Sequence, residues 1–340
     1  MTEKRLQELC ALDGVSGREE AVRAYILNDL KNSPAPKEVT VDAMGNVLVH
    51  LIGQKQGNQR LQLDAHMDEV GFLITHIDND GFLSFEPVGG IDKQVLYGHR
   101  VRIGQQPGVI GGKAVHQCRP EEKTVVPGVD TMVIDIGVPS GEAATALVQV
   151  GDSGTFADGW VELSNRRFKS KAVDDRVGCA LLLTLAQTQP LYDLWLSFSV
   201  QEEVGLRGAG VAAGQICPDI AIAIDATTAA DIVPGDSGKA VCRVGEGAVV
   251  SFADRATLYD RDLYDRIRAL ADSHGIATQT KTRIAGGNNA GSIQNSGYGV
   301  RMASVSLPCR YIHSPACVGS WADVEAMEGL LRLLAQTLPA

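Results

Sequence analysis

The sequence has few features that would direct the chain to a membrane or a nucleic acid. No apolar run approaches the roughly 18 residues needed to cross a bilayer. The first residues, MTEKRLQELC, lack the apolar segment of a secretory signal. The formal net charge is −10, whereas affinity for nucleic acids depends largely on Lys and Arg. We therefore expect a protein with neither a membrane nor a nucleic-acid partner.

Paired cysteines and tryptophan are also scarce. Seven cysteines are scattered along the 340 residues without a CxxC pair, and the chain has three tryptophans. An odd number of scattered cysteines is typical of reduced thiols, so we expect a cytoplasmic location. The small number of tryptophans disfavours a site that stacks on sugar rings.

Apolar strands alternate with helical segments in the first and last parts of this chain, which is long for a single core. The strands LWLSFSV and IAIAIDA and the helical segment DRVGCALLLTLAQT are examples. This alternation indicates a mostly parallel sheet flanked by helices on both faces. Near the N-terminus, Ser16 and Glu19 have the spacing of a capping box, which predicts that a helix starts there.

The middle of the chain, from about residue 68 to residue 155, has a different pattern. Short strand-like runs, FLITHI and TMVIDIG among them, are separated by Gly, Pro and Asp, with one helical stretch at 140–147. This pattern is typical of a small β-barrel or sandwich. We therefore predict an α/β domain of residues 1–67 and 156–340, interrupted by an all-β insertion of residues 68–155.

Histidine and acidic residues recur where the predicted strands of the α/β part end. Ligands gather at the carboxyl ends of strands in such a sheet, so we expect these side chains to lie close together. Hydrolases hold Zn²⁺ and similar ions with His and carboxylate groups around an open position. The candidates are His66, Asp68, Asp174, Asp175, Glu202, Glu203, Asp225 and His313.

Each of these residues, taken alone, also has an ordinary structural interpretation. A single Asp after a strand is commonly a helix N-cap, and adjacent glutamates on a loop are commonly solvated. A lone His more often belongs to the core or the surface than to a metal site. Because five separate segments deliver such residues to one sheet edge, their joint occurrence favours a metal site.

Spacing within two of the segments suggests separate roles. His66 and Asp68 are two apart on an extended segment and point the same way. The Asp68 carboxylate could then accept the second N–H of His66 and orient its ring. Glu202 and Glu203 are adjacent and cannot face one point equally, so one could bind metal while the other acts as a base.

With these residues in place, the chain resembles the tetrahedral (TET) aminopeptidases, dinuclear metallopeptidases with glutamyl, lysyl and leucyl members. The resemblance covers nearly the whole chain, from about residue 10 to the C-terminal helix. It rests on the ordered motifs DAHMDEVGF, VGGIDKQVLYGHRVRIG, SKAVDDRVGCA, VQEEVGLRGA, DATTAADIVPG and CRYIHSP. It implies a zinc-peptidase-like catalytic domain and a barrel-like dimerisation domain as the insertion.

The resemblance also implies two divalent metal ions, with zinc favoured and cobalt or manganese as alternatives. The implied ligands are His66, Asp174 and Asp225 for one ion, and Asp174, Glu203 and His313 for the other. Glu202 would be the general base, and Asp68 would orient His66. The peptide bond between Asp174 and Asp175 would be cis.

The activity implied by the resemblance is removal of N-terminal residues from peptides that have a free N-terminus. The implied assembly is a dimer, six of which form a hollow tetrahedral dodecamer with inward-facing active sites. One motif departs from the family, because its Gly-Thr-Asp-Ala stretch is replaced here by GGNNAGSIQ, with Asn288 and Asn289. We expect this region near the substrate, so the resemblance does not imply a side-chain preference.

Three other functions compete with this interpretation. A related dinuclear carboxypeptidase or deacylase would share the α/β domain, but its insertion is commonly α+β rather than all-β. A glycoside hydrolase could use paired carboxylates, yet that chemistry gives no role to the two His residues. A non-catalytic metal-binding scaffold would leave Glu202 without a function.

Overall fold

The computed structural model describes residues 2–232 and 240–338, so the end of the DATTAADIVPG motif, residues 233–235, lies outside the described residues. Within these ranges, no helix combines the length and the apolar character needed to cross a bilayer. The helices are α1 (Thr2–Ala11), α2 (Glu20–Lys31), α3 (Gly141–Thr145), α4 (Val173–Leu185), α5 (Arg207–Ile216), α6 (Arg261–Ser273), α7 (Ala290–Ile293) and α8 (Trp321–Thr337).

An eight-stranded sheet forms the centre of the α/β part. In spatial order its strands are β1 (Lys37–Val41), β2 (Val47–Leu51), β12 (Leu194–Ser199), β3 (Leu61–His66), β13 (Ile220–Thr228), β16 (Arg301–Cys309), β14 (Ala248–Val250) and β15 (Thr278–Thr280). The four adjacent strands β12, β3, β13 and β16 are parallel. Their carboxyl ends therefore meet at one edge of the sheet.

Alternate residues of β13 show that both faces of this sheet are covered. Ile220, Ile222 and Ile224 belong to the large core formed with α1, α2, α4, α6 and α8. Ala221 and Ala223 belong to a smaller core with residues of α5 and α7. Helices on both faces explain the continuous apolar character of the strand, as the sequence predicted.

The residues between β3 and α4 form a separate closed barrel. Its antiparallel strands, in spatial order, are β4 (Gly71–Ile77), β5 (Leu83–Val88), β8 (Met132–Asp135), β7 (Gln106–Gly112), β6 (Arg100–Ile103) and β9 (Ser153–Phe156). A separate small sheet has three strands. Two of them, β10 (Val161–Leu163) and β11 (Arg167–Ser170), follow the barrel in sequence, and the third, β17 (Cys317–Ser320), directly precedes α8. The predicted mixed α/β fold with an all-β insertion is confirmed, and the insertion is a barrel rather than a sandwich. The domain boundaries themselves stay a prediction.

The predicted capping box at the start of α2 is wrong. Glu19 occupies the N-cap position without a side-chain cap hydrogen bond. Ser16 Oγ instead donates to Asp68 Oδ2 at 2.6 Å, and Glu19 Oε1 accepts the backbone N–H groups of Gly17 and Gln201. Tertiary partners near the edge of the sheet have displaced the local pairing that the spacing predicted.

We predict that the barrel depends on the fully buried side chain of Phe72. This ring contacts Phe85 and Phe156 edge-on, with centroids 5.4 and 5.0 Å away. Phe72→Ala should lower the free energy of unfolding by about 3–5 kcal/mol, because it leaves a cavity in the core of the barrel. Phe82, on the same barrel, is 38% exposed, so Phe82→Ala is the matched control and should cost less than about 1 kcal/mol. Equal urea midpoints for the two variants would contradict this account.

Candidate metal centre

The strand ends bring the predicted site residues together. His66 ends β3, next to Ser199 at the end of the parallel strand β12, and Glu202 and Glu203 follow in the next turn. Asp225 lies near the end of β13, and His313 follows β16. Asp174 is in the first turn of α4. Each side chain therefore reaches the same edge of the sheet from a different element.

Asp174 lies between the two histidines. Its Oδ1 is 3.1 Å from His66 Nε2, and its Oδ2 is 3.2 Å from His313 Nε2. His66 Nε2 is also 3.9 Å from Asp225 Oδ1, and His313 Nε2 is 3.4 Å from Glu203 Oε2. One carboxylate thus faces two His–carboxylate pairs.

Ligand atoms of these residues come close enough to surround metal ions. Three groups of ligand atoms each lie within 4.8 Å of one another: His66, Asp174 and Asp225; Asp174, Glu203 and His313; and His66, Glu202 and Glu203. The first two groups match the ligand sets implied by the resemblance and share Asp174. In the third group Glu202 Oε2 is 4.0 Å from His66 Nε2, so Glu202 is beside the possible ligands.

Among the described residues, histidines are the only basic side chains that pair with the carboxylates of this cluster. Asp174, Asp175, Glu202 and Asp225 are all buried. Within residues 2–232 and 240–338, no Lys or Arg forms an ion pair with them or with Glu203. A buried charge is costly unless it is paired or coordinates a metal. The donor set of two imidazoles and clustered carboxylates therefore fits divalent cations.

The pKa values of these side chains reflect the same crowding of buried carboxyl groups. Burial, reinforced by the negative charge of Asp174, raises the pKa of Glu203 and of Asp225 well above the usual range. Burial also raises the pKa of Glu202 to about 7. Burial opposes the charged form of Asp174 too, but hydrogen bonds from His313 and His66 hold its pKa below its usual value. Burial opposes the charged form of the two histidines, but the carboxylates around them raise the pKa of His66 well above its usual value and the pKa of His313 to about 10. Without cations, the cluster thus retains protons on its imidazoles as well as on its carboxyl groups.

Asp175 points away from the ligand groups and fastens the backbone behind them. The peptide bond between Asp174 and Asp175 is cis. Asp175 Oδ2 accepts the backbone N–H of His66 at 3.2 Å, and its Oδ1 accepts the N–H of Gly178 at 2.9 Å. This carboxylate therefore connects β3 to α4.

Asp68 contacts His66 mainly through its backbone. The Asp68 carbonyl oxygen is 3.1 Å from His66 Nδ1, whereas its Oδ1 is 3.5 Å away. The carboxylate accepts the backbone N–H groups of Glu202 and Glu203 at 3.0 and 3.1 Å. It thereby fixes the turn that carries both glutamates, a role that the two-residue spacing did not suggest.

A buried ion-pair network supports the first turn of α4 from below. Glu69 lies 2.8 Å from Lys171 Nζ and 3.3 Å from Arg176 Nη2. Arg176 is fully buried and also donates to the carbonyl oxygens of Met67 and Leu9. This network was not predicted from the sequence, although the charged residues on both sides of AVDD were a possible signal.

A cleft of about 140 Å³ opens next to the ligand cluster. Besides Asp174, Glu202, Glu203, Asp225 and His313, its lining includes Thr227, Thr228, Lys281, Gly286, Gly287, Asn288 and Ser306. Of the lining residues that the structure describes, Lys281 is the one Lys or Arg, and it is 7% exposed. Its Nζ has no hydrogen-bond partner in the described part of the chain. Lys281 therefore places a positive charge in the cleft that is not paired with a carboxylate of the described residues.

The two asparagines of GGNNAGSIQ have different surroundings. Asn288 lines the cleft, as expected for a residue near the substrate, and its Nδ2 donates to Ser304 Oγ at 3.0 Å. Asn289 is buried and donates to Asp64 Oδ2 at 2.8 Å. Asp64 precedes His66 by two residues on β3, so Asn289 links the cleft wall to the strand that carries His66.

The comparisons with known proteins agree with this geometry. A family described as M42 glutamyl aminopeptidase matches residues 45–330. The lysyl aminopeptidase of Pyrococcus furiosus is 31% identical over 98% of this chain and 96% of its own length. An aminopeptidase structure from Desulfurococcus kamchatkensis has a TM-score of 0.92 at 32% identity, covering 99% of this chain and 94% of that one.

A further structural neighbour is the TET1 peptidase of Pyrococcus horikoshii. It has a TM-score of 0.87 at 32% identity and covers 99% of this chain and 100% of its own. That peptidase can assemble into a tetrahedron or a large octahedral shell. These matches confirm the resemblance that the sequence motifs indicated.

Proposed function

Because this chain belongs to the M42 glutamyl aminopeptidase family and is a peptidase, we propose that it is a dinuclear metal aminopeptidase. The observation that carries the proposal is the position of Asp174, whose two oxygens each face a different histidine at 3.1 and 3.2 Å. A carboxylate in this position is suited to bridge two cations. The catalytic part would then be of the zinc-peptidase type.

In this proposal the two ligand groups that share Asp174 each hold one ion. The ligands are His66, Asp174 and Asp225 for the first ion, and Asp174, Glu203 and His313 for the second. Their imidazole nitrogens and carboxylate oxygens suit Zn²⁺, and also Co²⁺ or Mn²⁺. The charge of two divalent ions would offset the negative charge of the three carboxylate ligands, and Glu203 and Asp225 would then no longer need protons.

Glu202 is the proposed general base. When bound, the ions would supply an activated water and polarise the carbonyl group that it attacks. Glu202 borders the ligand groups and lines the cleft, so its Oε2 can take a proton from the attacking water. The same oxygen can then return the proton to the leaving amine. Asp68 holds the backbone of Glu202 in place throughout.

The competing functions have less support. A carboxypeptidase or deacylase would not be expected to carry a closed six-stranded barrel. A glycoside hydrolase would use two carboxyl groups without histidine, whereas both histidines here contact Asp174. A metal-binding scaffold would not require a buried glutamate beside the ligand groups.

We further propose that residues 68–155 form a dimerising insertion and that six dimers build a tetrahedral dodecamer. Leu73, Phe82, Val109 and Val115 are apolar residues exposed on or beside the barrel, and burial against a symmetry mate would cover them. The free thiols of all seven cysteines support a cytoplasmic location. Light scattering tests the assembly, and a monomer would contradict it.

We predict that the enzyme removes residues only from a free N-terminus. N-acetylation of the peptide should abolish release of its first residue, because we propose that the free α-amine of the substrate is anchored near the metal ions. C-terminal amidation of the same peptide is the control and should leave the rate unchanged. Mass spectrometry of the products decides the question, and release of C-terminal residues would favour the carboxypeptidase alternative.

The two adjacent glutamates should respond differently to substitution. Glu202→Gln removes the proposed base and should lower kcat by about 10²–10⁴-fold while two ions remain bound. Glu203→Gln removes a ligand and should weaken the binding of one ion. Metal content and kcat measured on both variants test this assignment. It fails if the two variants lose metal equally.

The unpaired ammonium group of Lys281 leads us to propose a preference for acidic N-terminal residues. A Glu or Asp side chain in the cleft could pair with Lys281 Nζ, whereas a Lys or Arg side chain would be repelled. This preference agrees with the description of the family and differs from the name of the lysyl aminopeptidase of P. furiosus.

Lys281→Met should therefore remove the preference for Glu over Gln at the substrate N-terminus. Hydrogen bonds to charged groups contribute about 1.5–3 kcal/mol, so the wild-type ratio of kcat/KM should be about tenfold or more. Hydrolysis of N-terminal Leu should stay nearly constant. Lys4, which is largely exposed, provides the control variant Lys4→Met. An unchanged Glu-to-Gln ratio in Lys281→Met would refute the assignment.

A further inference from the structure

Two glycines of the VGGID motif connect the barrel to the metal centre. Gly89 and Gly90 follow the barrel strand β5. The carbonyl oxygen of Gly90 is 2.9 Å from His313 Nδ1. Gly90 contributes only its backbone oxygen to this contact, so the residue type at position 90 does not indicate the contact.

The contact determines which nitrogen of His313 faces the ligand cluster. A carbonyl oxygen only accepts hydrogen bonds, so His313 Nδ1 carries the proton and donates it to Gly90. The other nitrogen, Nε2, is 3.2 Å from Asp174 Oδ2 and 3.4 Å from Glu203 Oε2. Both ring nitrogens thus face acceptors, and a bound cation would replace the proton on Nε2 while Gly90 holds Nδ1, which is the orientation that a metal-binding histidine requires.

The two histidines differ in where that acceptor comes from. His66 Nδ1 contacts the carbonyl oxygen of Asp68, directly after strand β3 of the central sheet. His313 instead depends on the segment after β5 of the barrel. The two ligand groups are therefore oriented by different parts of the chain, although they share Asp174.

Other residues do not fit easily at positions 89 and 90, because neighbouring atoms lie close to where their Cβ atoms would be. A Cβ on Gly90 would lie 3.3 Å from His313 Nδ1. A Cβ on Gly89 would lie 2.8 Å from Val70 Cγ1 and 3.3 Å from Glu203 Cβ. Gly89 also has a φ of +83°, which disfavours other residues. The segment thus packs against His313 and Glu203, the two ligands of the second proposed ion that are not ligands of the first.

We propose that Gly90 is a positioning residue that sets the metal affinity of the His313 group and leaves that of the His66 group unchanged. The inference rests on the proposed dinuclear function, since it requires two distinguishable ions. Removing or displacing a group that orients a ligand typically weakens metal binding by about 10–100-fold. The effect on the two ions should therefore be unequal.

The test compares four full-length proteins after chelation: wild type, Gly90→Ala, Gly111→Ala and His313→Ala. Gly111 lies on barrel strand β7, and a Cβ there would meet nothing within 4 Å, so its variant is the matched control. Co²⁺ is titrated into each protein against a competing chromophoric chelator. His313→Ala identifies which binding step belongs to the His313 group.

In Gly90→Ala, the step assigned to His313 should weaken by about tenfold or more, and the other step should stay within about twofold. Gly111→Ala should match wild type in both steps. Equal weakening of both steps, or no change in either, would overturn the inference. If Gly90→Ala does not fold, 15N NMR of the His313 ring in Zn²⁺-loaded wild type provides a second test, in which a proton on Nδ1 supports the inference and a proton on Nε2 overturns it.

A failure of the proposed function gives a different result. In that case wild type itself binds fewer than two Co²⁺ ions per subunit, and the variants have no second step to compare. When wild type binds two ions, the variants test the role of Gly90 alone.

Discussion

The structure depends on one electrostatic constraint, which is that carboxyl groups crowded around Asp174 are buried and, among the described residues, have no Lys or Arg partner. Such groups cannot all be ionised in a low-dielectric environment unless cations are supplied. In the absence of ions, burial raises the pKa of Glu203 and Asp225, and the cluster retains protons. Two divalent ions that share Asp174 as a ligand would make this protonation unnecessary. They would also place positive charge beside the cleft, where it can polarise a substrate. The constraint thus connects the fold directly to the proposed hydrolytic chemistry.

The surrounding elements hold the cluster together against this repulsion. Parallel strands bring His66 and Asp225 to the same edge of the sheet, and Asp175 ties β3 to α4. Glu69, Lys171 and Arg176 form a fully satisfied buried network beneath the first turn of α4. Buried charges that are paired and hydrogen-bonded rigidify their surroundings. The barrel contributes from the opposite side, through the carbonyl oxygen of Gly90.

The sequence predicts the α/β fold and the meeting of the ligand groups, because strand periodicity and strand-end position are local signals. It does not predict contacts made by backbone atoms. The Gly90 carbonyl and the N–H groups held by Asp68 have no side-chain signature, and only the tertiary structure reveals them. The capping box at Ser16 fails for a related reason, since Asp68 offers Ser16 a better partner from a distant segment. The spacing of nearby residues in a sequence does not show that a distant residue such as Asp68 competes for the same hydrogen bond.

Metal binding to the chelated wild-type protein tests the central claim most directly. Titration with Zn²⁺ should show two ions per subunit, and the free energy of unfolding should rise as they bind. At a free concentration of 100 times Kd, each site should contribute about 2.7 kcal/mol. Peptidase activity should be absent after chelation and return with the ions. A protein that binds no divalent ion, or that remains fully active without one, would contradict the account.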